Sequence, residues 1–394
     1  MEATKVLEKE KVLVPKLRFR GFYKAWNFVL LDNIAFRGSG HTPSKSFETY
    51  YNGGIKWVSL ADSKKLDNGY IEDTEYKISL EGIKKSSAVL HPKESVLLSR
   101  DAGVGKSAVM KTEMAVSQHF IVWQGKENIL SNWFLYNILQ ILKPQFERIA
   151  VGSTIKTIGL SYFKKIKIAI PTYPEQQKIA SFLSAVDEKI QQLTRKKQLL
   201  EQYKKGVMLQ LFSGKLRFKD ENGKAFAKWE EKRLGEISEK KSSNIAANAI
   251  TENIGQYKIY GATGFLKRVD FYREEEPYIS IVKDGAGVGR TLLCDAKTSV
   301  LGTLDIIIPI ANVDLYFLYS VLNNIDFIKY TKGSTIPHIY YKDYSTEKIQ
   351  LPLFQEQKKI ANYLSNIDNK IEIINKQITQ TQTFKKGLLQ QMFV

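Results

Sequence analysis

Two long stretches of this chain carry apolar residues at alternating intervals of three and four positions. The first stretch spans residues 175–212, and the second begins near residue 356. This spacing is the heptad seam of a coiled coil, so each stretch predicts a helix of about 38 residues, roughly 57 Å long. The first seam consists of Ile179, Leu183, Val186, Ile190, Leu193, Lys197, Leu200, Lys204, Val207 and Leu211. The second seam consists of Ile360, Leu364, Ile367, Ile371, Ile374, Ile378, Thr381, Lys385, Leu388 and Met392.

The two helical stretches belong to an internal duplication. The segment that starts at Pro171 recurs without a gap from Pro352, a constant offset of 181 residues. Gly152-Ser-Thr-Ile155 and Gly333-Ser-Thr-Ile336 share this offset. A looser echo links residues 101–106 to residues 284–290. Both halves of the chain therefore follow one plan.

One further echo has a different phase and suggests a circular arrangement. Lys16-Leu-Arg-Phe19 matches Lys215-Leu-Arg-Phe218, which follows the first helix. If a pseudo-twofold axis relates the halves, the chain's own beginning supplies the segment after the second helix, and the termini lie close together. Antiparallel pairing of the helices is favoured, because a domain about 35 to 40 Å across could not easily straddle a parallel coil. Two independent surface helices on separate cores are the alternative.

Between the helices, short apolar runs and turn residues predict α+β units. Strands are expected near residues 57–60, 95–99, 278–282 and 303–310, and short helices at residues 131–142 and 314–322. Gly53-Gly54 and Asn68-Gly69 are expected to form turns. The predicted domains are an N-terminal segment 1–21, a first globular domain 22–170, a central helix 171–214, a second globular domain 215–351 and a C-terminal helix 352–394.

Composition and charge point to a nucleic-acid partner. Lys and Arg number 59 against 41 Asp and Glu, a formal net charge of +18. Hydrophobic residues make up 43% of the chain, which excludes a disordered basic tail. Residues 1–16 resemble neither a signal peptide nor an anchor, and no apolar stretch is long enough to span a membrane, so a cytoplasmic protein is expected.

Motifs for catalysis or cofactor binding are weak. Gly103-Val-Gly-Lys-Ser107 resembles the end of a phosphate-binding loop, but Arg100 occupies the position of its first glycine, so a simple glycine turn is the better interpretation. A single cysteine, Cys294, and four scattered histidines provide no disulfide or zinc site. His119 precedes an apolar run and is expected in the core. We therefore predict no catalytic, cofactor-binding or metal-binding residue.

Basic residues close to turns are the candidate DNA contacts, because phosphate neutralisation requires many cations. As a set they are predicted to bind DNA, together with nearby polar side chains that reach base edges. The candidates are Lys64, Lys65, Arg100, Lys106, Lys156, Lys258, Lys267, Arg268, Lys283, Arg290 and Lys332.

The motifs together resemble the DNA-specificity subunit of bacterial Type I restriction-modification systems. The resemblance covers nearly the whole chain. Its carriers are Gly38-Ser-Gly-His-Thr-Pro-Ser44 with Gly53-Gly-Ile-Lys-Trp57, the two Gly-Ser-Thr-Ile segments, and the Glu-Gln-X-Lys-Ile-Ala helix starts at Glu175 and Glu356. The second half departs from this pattern, since Ser242-Ser-Asn-Ile245 stands where a Thr-Pro-Ser motif is expected.

The resemblance implies a non-catalytic subunit with two target recognition domains, each reading half of a bipartite site in double-stranded DNA. It also implies a helical spacer that sets the gap between the halves and docks two modification subunits, which restriction subunits then join. S-adenosylmethionine, ATP and Mg would belong to these partners, and no cofactor to this chain. The alternatives are a DNA-modifying enzyme that acts alone and a purely structural coiled-coil scaffold.

Overall fold

Both predicted seams form continuous helices in the computed structural model, which describes residues 13–250 and 253–394. The predicted N-terminal segment 1–21 therefore lies partly outside the described residues. The helices are α1 Leu31–Ile34, α2 Leu80–Lys84, α3 Asn132–Ile149, α4 Leu160–Phe163, α5 Tyr173–Phe212, α6 Leu234–Ile237, α7 Leu315–Asn324, α8 Tyr341–Tyr344 and α9 Phe354–Met392.

The strands divide into two sets, one before α5 and one after it. Those before α5 are β1 Asn27–Leu30, β2 Ala35–Ser39, β3 Tyr51–Val58, β4 Tyr70–Ile71, β5 Tyr76–Ile78, β6 Leu90–His91, β7 Val96–Ser99, β8 Ser107–Met110, β9 Met114–Val116, β10 Phe120–Gly125 and β11 Lys167–Ile170. Those after α5 are β12 Glu230–Arg233, β13 Ser238–Ser242, β14 Tyr257–Gly261, β15 Gly264–Val269, β16 Tyr278–Val282, β17 Thr291–Cys294, β18 Thr298–Val300, β19 Leu304–Pro309 and β20 Lys348–Leu351.

The chain folds into two units, and each takes half of both long helices. The first unit comprises residues up to 195 together with 375–394, and the second comprises residues 196–374. In the first unit, Leu183 near the start of α5 shares a hydrophobic cluster with Leu388 near the end of α9. In the second unit, Leu211 near the end of α5 clusters with Leu364 near the start of α9. The helix halves in each unit therefore pair antiparallel, as predicted.

All seam positions of both helices are buried or partly buried, including the lysines that interrupt the apolar pattern. Lys385 lies 2.6 Å from a carboxylate oxygen of Asp187 in the first unit. Lys204 lies 2.7 Å from Asp368 in the second unit. Both residues of each pair have their equivalent 181 positions away, so the duplication repeats a whole ion pair. Burial raises the pKa of Asp187, and the Lys385 ammonium offsets part of that rise.

A mixed sheet forms the middle layer of the first unit, in the order β2-β10-β7-β8-β4. Successive residues of β10 point to opposite faces of this sheet. Ile121 and Trp123 pack with α3 and the long helices. Phe120 and Val122 pack against a second sheet, in the order β5-β3-β9-β6. Three layers enclose two cores, which explains why β7 and β8 of the middle sheet are buried along their whole length.

The second unit repeats these layers with a smaller outer sheet. Its middle sheet has the order β13-β19-β16-β17 and its outer sheet the order β15-β14-β18. In β16, Ile279 and Ile281 face the helices, whereas Tyr278 and Val282 face the outer sheet. Each unit is thus α+β, as the short apolar runs predict.

The Glu-Gln pair at the start of each long helix ties neighbouring segments to that helix. Arg18 donates two hydrogen bonds to the Glu175 carboxylate, at 2.7 and 2.8 Å. Gln176 accepts from the backbone N–H of Ser131 at 3.0 Å and donates to the carbonyl oxygen of Ile129. In the second unit, Arg217, Glu356 and Gln357 repeat this arrangement. The motif therefore anchors the loop before α3 or α7 to the helix.

The segment Lys16-Leu-Arg-Phe19 lies at the end of the second long helix, as the circular arrangement predicts. In the second unit, the backbone N–H of Leu216 donates to the carbonyl oxygen of Gln210, near the end of α5. In the first unit, Leu17 makes the equivalent bond to Gln391, near the end of α9, at 2.8 Å. The segment before the first domain thus caps the second helix within the first unit.

Two predictions about local structure were wrong. The helix expected at residues 131–142 continues through Pro144 to Ile149. Pro144 removes one backbone donor, but Phe146 beyond it is fully buried in the core, and this burial offsets the lost hydrogen bond. Gly53 and Gly54 form no turn but lie within β3, where the register with β5 shifts between Tyr51 and Ile55.

The buried ion pair of the helices yields a test of stability. Replacement of Lys385 by Met should lower the free energy of unfolding of the first unit by about 3 kcal/mol, because it leaves the Asp187 carboxylate buried without a cation. The double variant Asp187→Asn with Lys385→Met should recover most of this loss. Lys386→Met, at the exposed neighbouring position, is the control and should have little effect. Urea unfolding monitored by circular dichroism measures all three.

The stability loss of Lys385→Met is expected to depend on pH, because burial raises the pKa of Asp187. Removal of Lys385 raises the pKa of Asp187 further, so the folded variant takes up a proton at a higher pH than the unfolded chain does. The destabilisation of Lys385→Met is therefore largest above that pKa. It should shrink as the pH falls from neutral through that pKa. A loss that stays constant over this range would show that the charge of Asp187 is not its cause.

Candidate nucleic-acid interface

Each unit contains two glycine-containing loops that the duplication repeats. The sequence shows that these loops recur in both halves, and the structure shows that the two loops of one unit are in contact. In the first unit, residues 100–106 form the turn between β7 and β8 and lie against a hairpin of residues 151–157. Asp101 pairs with Thr157 across this contact. The backbone N–H of Ile158 donates to the carbonyl oxygen of Arg100 at 3.0 Å. Gly103 and Gly105 have positive φ, which confirms a glycine turn, and strand β8 follows it where a phosphate-binding loop has a helix.

The second unit builds the same contact from the equivalent residues. Asp284 pairs with His338, the residue that corresponds to Thr157 in position. The backbone N–H of Gly285 donates to the carbonyl oxygen of Pro337, and that of Ile339 donates to Lys283, both at 2.9 Å. The sequence echoes therefore mark one composite surface in each unit.

A third segment completes this surface, the turn that enters β10 in the first unit and β19 in the second. The N–H of Arg100 donates to the carbonyl oxygen of His119 at 2.9 Å, and the N–H of Lys283 donates to that of Thr303 at 3.0 Å. These matching bonds place Gln118-His119 and Gly302-Thr303 on equivalent backbone. The two units thus offer different side chains from one scaffold.

His119 is not the core histidine that its apolar neighbours suggest. Its side chain is 31% exposed, and Nδ1 lies 2.8 Å from Oδ2 of Asp101. The Thr157 hydroxyl donates to the other oxygen of Asp101. His119 falls in the turn before β10, so the apolar run that follows it does not draw it inside. The histidine that is buried in this unit is His91, which contacts the carbonyl oxygen of Ser39.

A cleft of about 770 Å³ opens beside this network in the first unit. The loop after β2, the strand β3 and the turn before β10 form its walls. Its lining residues are Thr42, Lys45, Glu48, Tyr51, Asn52, Trp57, Ser59, Leu60, Ala61, Tyr76, Ser117, Gln118 and His119. The Gly-His-Thr-Pro-Ser motif therefore leads into the cleft. Sequence reasoning missed the cleft because the turn before β10 lies about 60 residues or more from the other two walls in the chain.

Three of the predicted cations in the first unit are held by protein groups. Lys65 lies 2.9 Å from Asp62, whose side chain is fully buried. Nε of Arg100 donates to the carbonyl oxygen of Ile158 at 3.1 Å, and Lys106 contacts Ser63. These side chains position loops at the composite surface.

Four of the candidate basic residues in the second unit also have protein partners. The Lys258 ammonium lowers the pKa of the Asp295 carboxyl, so this pair stays charged at neutral pH. The contacts join Lys258 to Asp295 at 2.6 Å, Lys283 to Asp305 at 3.7 Å, Lys332 to Asp343 at 2.6 Å and Lys267 to the carbonyl oxygen of Ile250 at 2.8 Å.

The remaining candidates, Lys64, Lys156, Arg268 and Arg290, are exposed. Each arginine also donates to a backbone carbonyl oxygen. In each unit, the contact between the turn and the hairpin brings one group of candidate residues together. The candidates on β14 and β15 lie apart from this group, in the outer sheet of the second unit. The first group comprises Arg100, Lys106 and Lys156 in the first unit and Lys283, Arg290 and Lys332 in the second.

The described residues hold no metal-ion cluster, and their single thiol is buried. Within residues 13–250 and 253–394, no group of three or more His, Cys, Asp or Glu side chains is arranged to hold a metal ion. Burial raises the pKa of the Cys294 thiol to about 11, so its reactive thiolate is scarce at neutral pH. None of the helices in these ranges is long and apolar enough to cross a membrane.

Comparison with known families identifies the family of this chain. The family model described as the Type I restriction modification DNA specificity domain matches residues 23–202 and 227–382. The chain belongs to this family. The two matched segments each contain one composite surface, and the prediction of a DNA-specificity subunit is confirmed.

Curated relatives and solved structures agree with this family. The chain is 25% identical to the Type I restriction enzyme MjaIX specificity subunit of Methanocaldococcus jannaschii, over 93% of this chain and 92% of that protein. It is 32% identical to the MjaVIII specificity subunit of the same organism, over 48% and 47% of the two chains. The crystal structure of the Type I restriction-modification S subunit from M. genitalium matches with a TM-score of 0.67 and 18% identity, over 97% of this chain and 99% of that chain. This last likeness confirms the fold.

Two adjacent lysines in the specificity domain allow a matched test of the predicted contacts. Lys64→Ala should leave stability unchanged and weaken DNA binding about equally for all sequences, because the exposed ammonium is available to a phosphate. Lys65→Ala should instead destabilise the first unit by about 1 kcal/mol or less, since it removes a partly exposed cation from buried Asp62. Salt-dependent DNA binding by the assembled complex and thermal unfolding of the chain separate the two effects. An unchanged salt dependence for Lys64→Ala would remove this residue from the predicted set.

Proposed function

We propose that each unit reads one half of a bipartite target in double-stranded DNA and that this chain supplies the sequence specificity of a larger complex. The observation that carries the proposal is the repeated scaffold with different exposed side chains. Arg100 and Lys283 hold equivalent turns, but these turns present Gln118-His119 in one unit and Gly302-Thr303 in the other. Two similar readers with different side chains suit two different half-sites.

The basic candidates supply the part of the affinity that does not depend on sequence. The net charge of +18 attracts duplex DNA, and exposed cations such as Lys156 and Arg290 lie beside the composite surfaces. The candidate contacts as a set remain a prediction. Cations that are already paired, such as Lys332 with Asp343, contribute less unless the pair opens.

The long helices are proposed to dock two copies of one modification subunit. Phe384 and Tyr203 are equivalent by the duplication and are 55% and 50% exposed. Phe182 and Tyr363 form a second equivalent pair, and each packs edge-on against an aromatic ring of the preceding segment. Each unit thus presents aromatic side chains from both helices. A surface that occurs once in each unit fits one partner for each unit.

Catalysis is assigned to the partners. S-adenosylmethionine would bind to the modification subunits, and ATP and Mg to restriction subunits that join the complex. The described residues of this chain support that division, since its thiol is buried and its composite surfaces are built from contacts that position side chains. The complex would act on DNA in the cytoplasm.

Exchange of one reader tests the bipartite model. Residues 22–170 contain β1 and β11, which pair with each other, so this segment can be replaced without splitting a strand pair. Substitution by the equivalent segment of a relative with a known target should change one half-site and leave the other half-site and the gap unchanged. Methylated adenines mapped across a genome, after co-expression with the modification subunit, provide the measurement. A change in both half-sites would contradict the model.

Length of the helices is predicted to set the gap between the half-sites. Insertion of one heptad after Leu193 and another after Ile374 preserves the seam and lengthens the helices by roughly 10 Å. The gap should widen by about three base pairs at 3.4 Å each, with both half-sites retained. The accompanying rotation of about 100° around the duplex is expected to lower activity.

The same methylome measurement decides the role of the helices. A single insertion, after Leu193 alone, is the control, because it shifts the two seams out of register and should abolish methylation. An active double-insertion complex with an unchanged gap would show that contacts within the readers set the distance.

A further inference from the structure

The turn of residues 117–119 presents one exposed polar side chain from a rigid backbone. Ser117 and Phe120 are almost completely buried, whereas Gln118 is exposed to the cleft. The N–H of Ser117 donates to the carbonyl oxygen of Val58, and the N–H of Phe120 donates to that of Ser117. A side chain on such a turn loses little backbone freedom when it binds a ligand.

A chain of hydrogen bonds orients the amide of this glutamine. The Thr42 hydroxyl donates to Oε1 of Gln118 at 2.6 Å. On the other side, Nε2 of Gln118 lies 3.5 Å from Nε2 of His119, whose Nδ1 lies 2.8 Å from Asp101. Because the Asp101 carboxylate only accepts, we assign to His119 the tautomer that carries its proton on Nδ1, in which Nε2 is the acceptor for Gln118. Every hydrogen bond from Thr42 to Asp101 then joins one donor to one acceptor.

The amide keeps one free donor and one free acceptor. Nε2 has a second N–H, and Oε1 has a second lone pair that Thr42 does not use. In the major groove, adenine presents the N6 donor beside the N7 acceptor, which matches this pair. Guanine presents two acceptors, O6 and N7, and would face the glutamine oxygen with one of them. The fixed amide therefore favours adenine over guanine.

We propose that Gln118 determines specificity for an adenine in the half-site that the first unit reads, with Thr42 and His119 as positioning residues. This inference rests on the proposed function. The cleft of about 770 Å³ is large enough to admit the edge of a base pair, and Lys45, an exposed residue of its lining, is available to a phosphate. In the second unit, Gly302 has the equivalent place and no side chain to make this contact. The adenine contact therefore belongs to one half-site.

The experiment measures base preference with the complete complex. The chain is co-assembled with its modification subunit, and bound DNA is selected from a library in which both half-sites are randomised. Gln118→Ala should reduce the preference for adenine at one base pair of one half-site about tenfold, and all other positions should keep their preferences. Thr42→Val, which removes the donor that orients the amide, should reduce the same preference less. The other half-site is the internal control for folding and assembly.

A neighbouring lysine provides the matched control in the cleft. Lys45→Ala should weaken binding to all sequences alike and leave every base preference unchanged. The proposal would be overturned if the Gln118→Ala complex selected DNA with the original base preference at every position. It would also be overturned if the base preferences of both half-sites changed equally. Failure of the proposed function is distinguishable, because the unaltered complex would then select no bipartite sequence.

Discussion

The rest of each unit depends on one interaction, the ion pair between an arginine and a buried glutamate at the start of each long helix. Glu175 and Glu356 are almost completely buried, and an arginine from a preceding segment neutralises each with two hydrogen bonds. Loss of one partner in such a pair costs about 3 to 5 kcal/mol, because the other charge stays buried. The adjacent glutamine holds the backbone before α3 or α7. Helix, entry segment and reader are therefore fixed to one another within each unit.

The periodic and repeated parts of the structure could be predicted from sequence, because their signals are local or recur at a fixed offset. The helical seams, their antiparallel pairing and the place of the Lys16-Leu-Arg-Phe19 segment belong to this class. The charge partners of the seam lysines do not. Asp187 and Lys385 are 198 residues apart, and only the shared offset with Asp368 and Lys204 links them. A search for polar residues repeated at the offset of 181 would have found both pairs.

The candidate site was less accessible to sequence reasoning, because charge identifies which residues are cationic but not which of them already have partners. Lys65 and Lys258 satisfy the same composition rule as Lys64, yet both lie within 3 Å of a carboxylate. The cleft depends on contacts between the loop after β2 and the turn before β10, a separation of about 76 residues. An exposed glutamine such as Gln118 has no pattern of its own until that contact is known.

The duplication separates the residues that form the scaffold from those that are free to differ. Glu175 and Glu356, which are identical between the halves, are buried and paired. Positions that differ, such as Gln118 and Gly302, lie on turns whose backbone bonds involve no side chain. A substitution on such a turn costs little stability, whereas one at the helix start exposes a buried charge to an apolar environment. The same physical division therefore allows a reader to change its base contacts while its attachment to the helices stays intact.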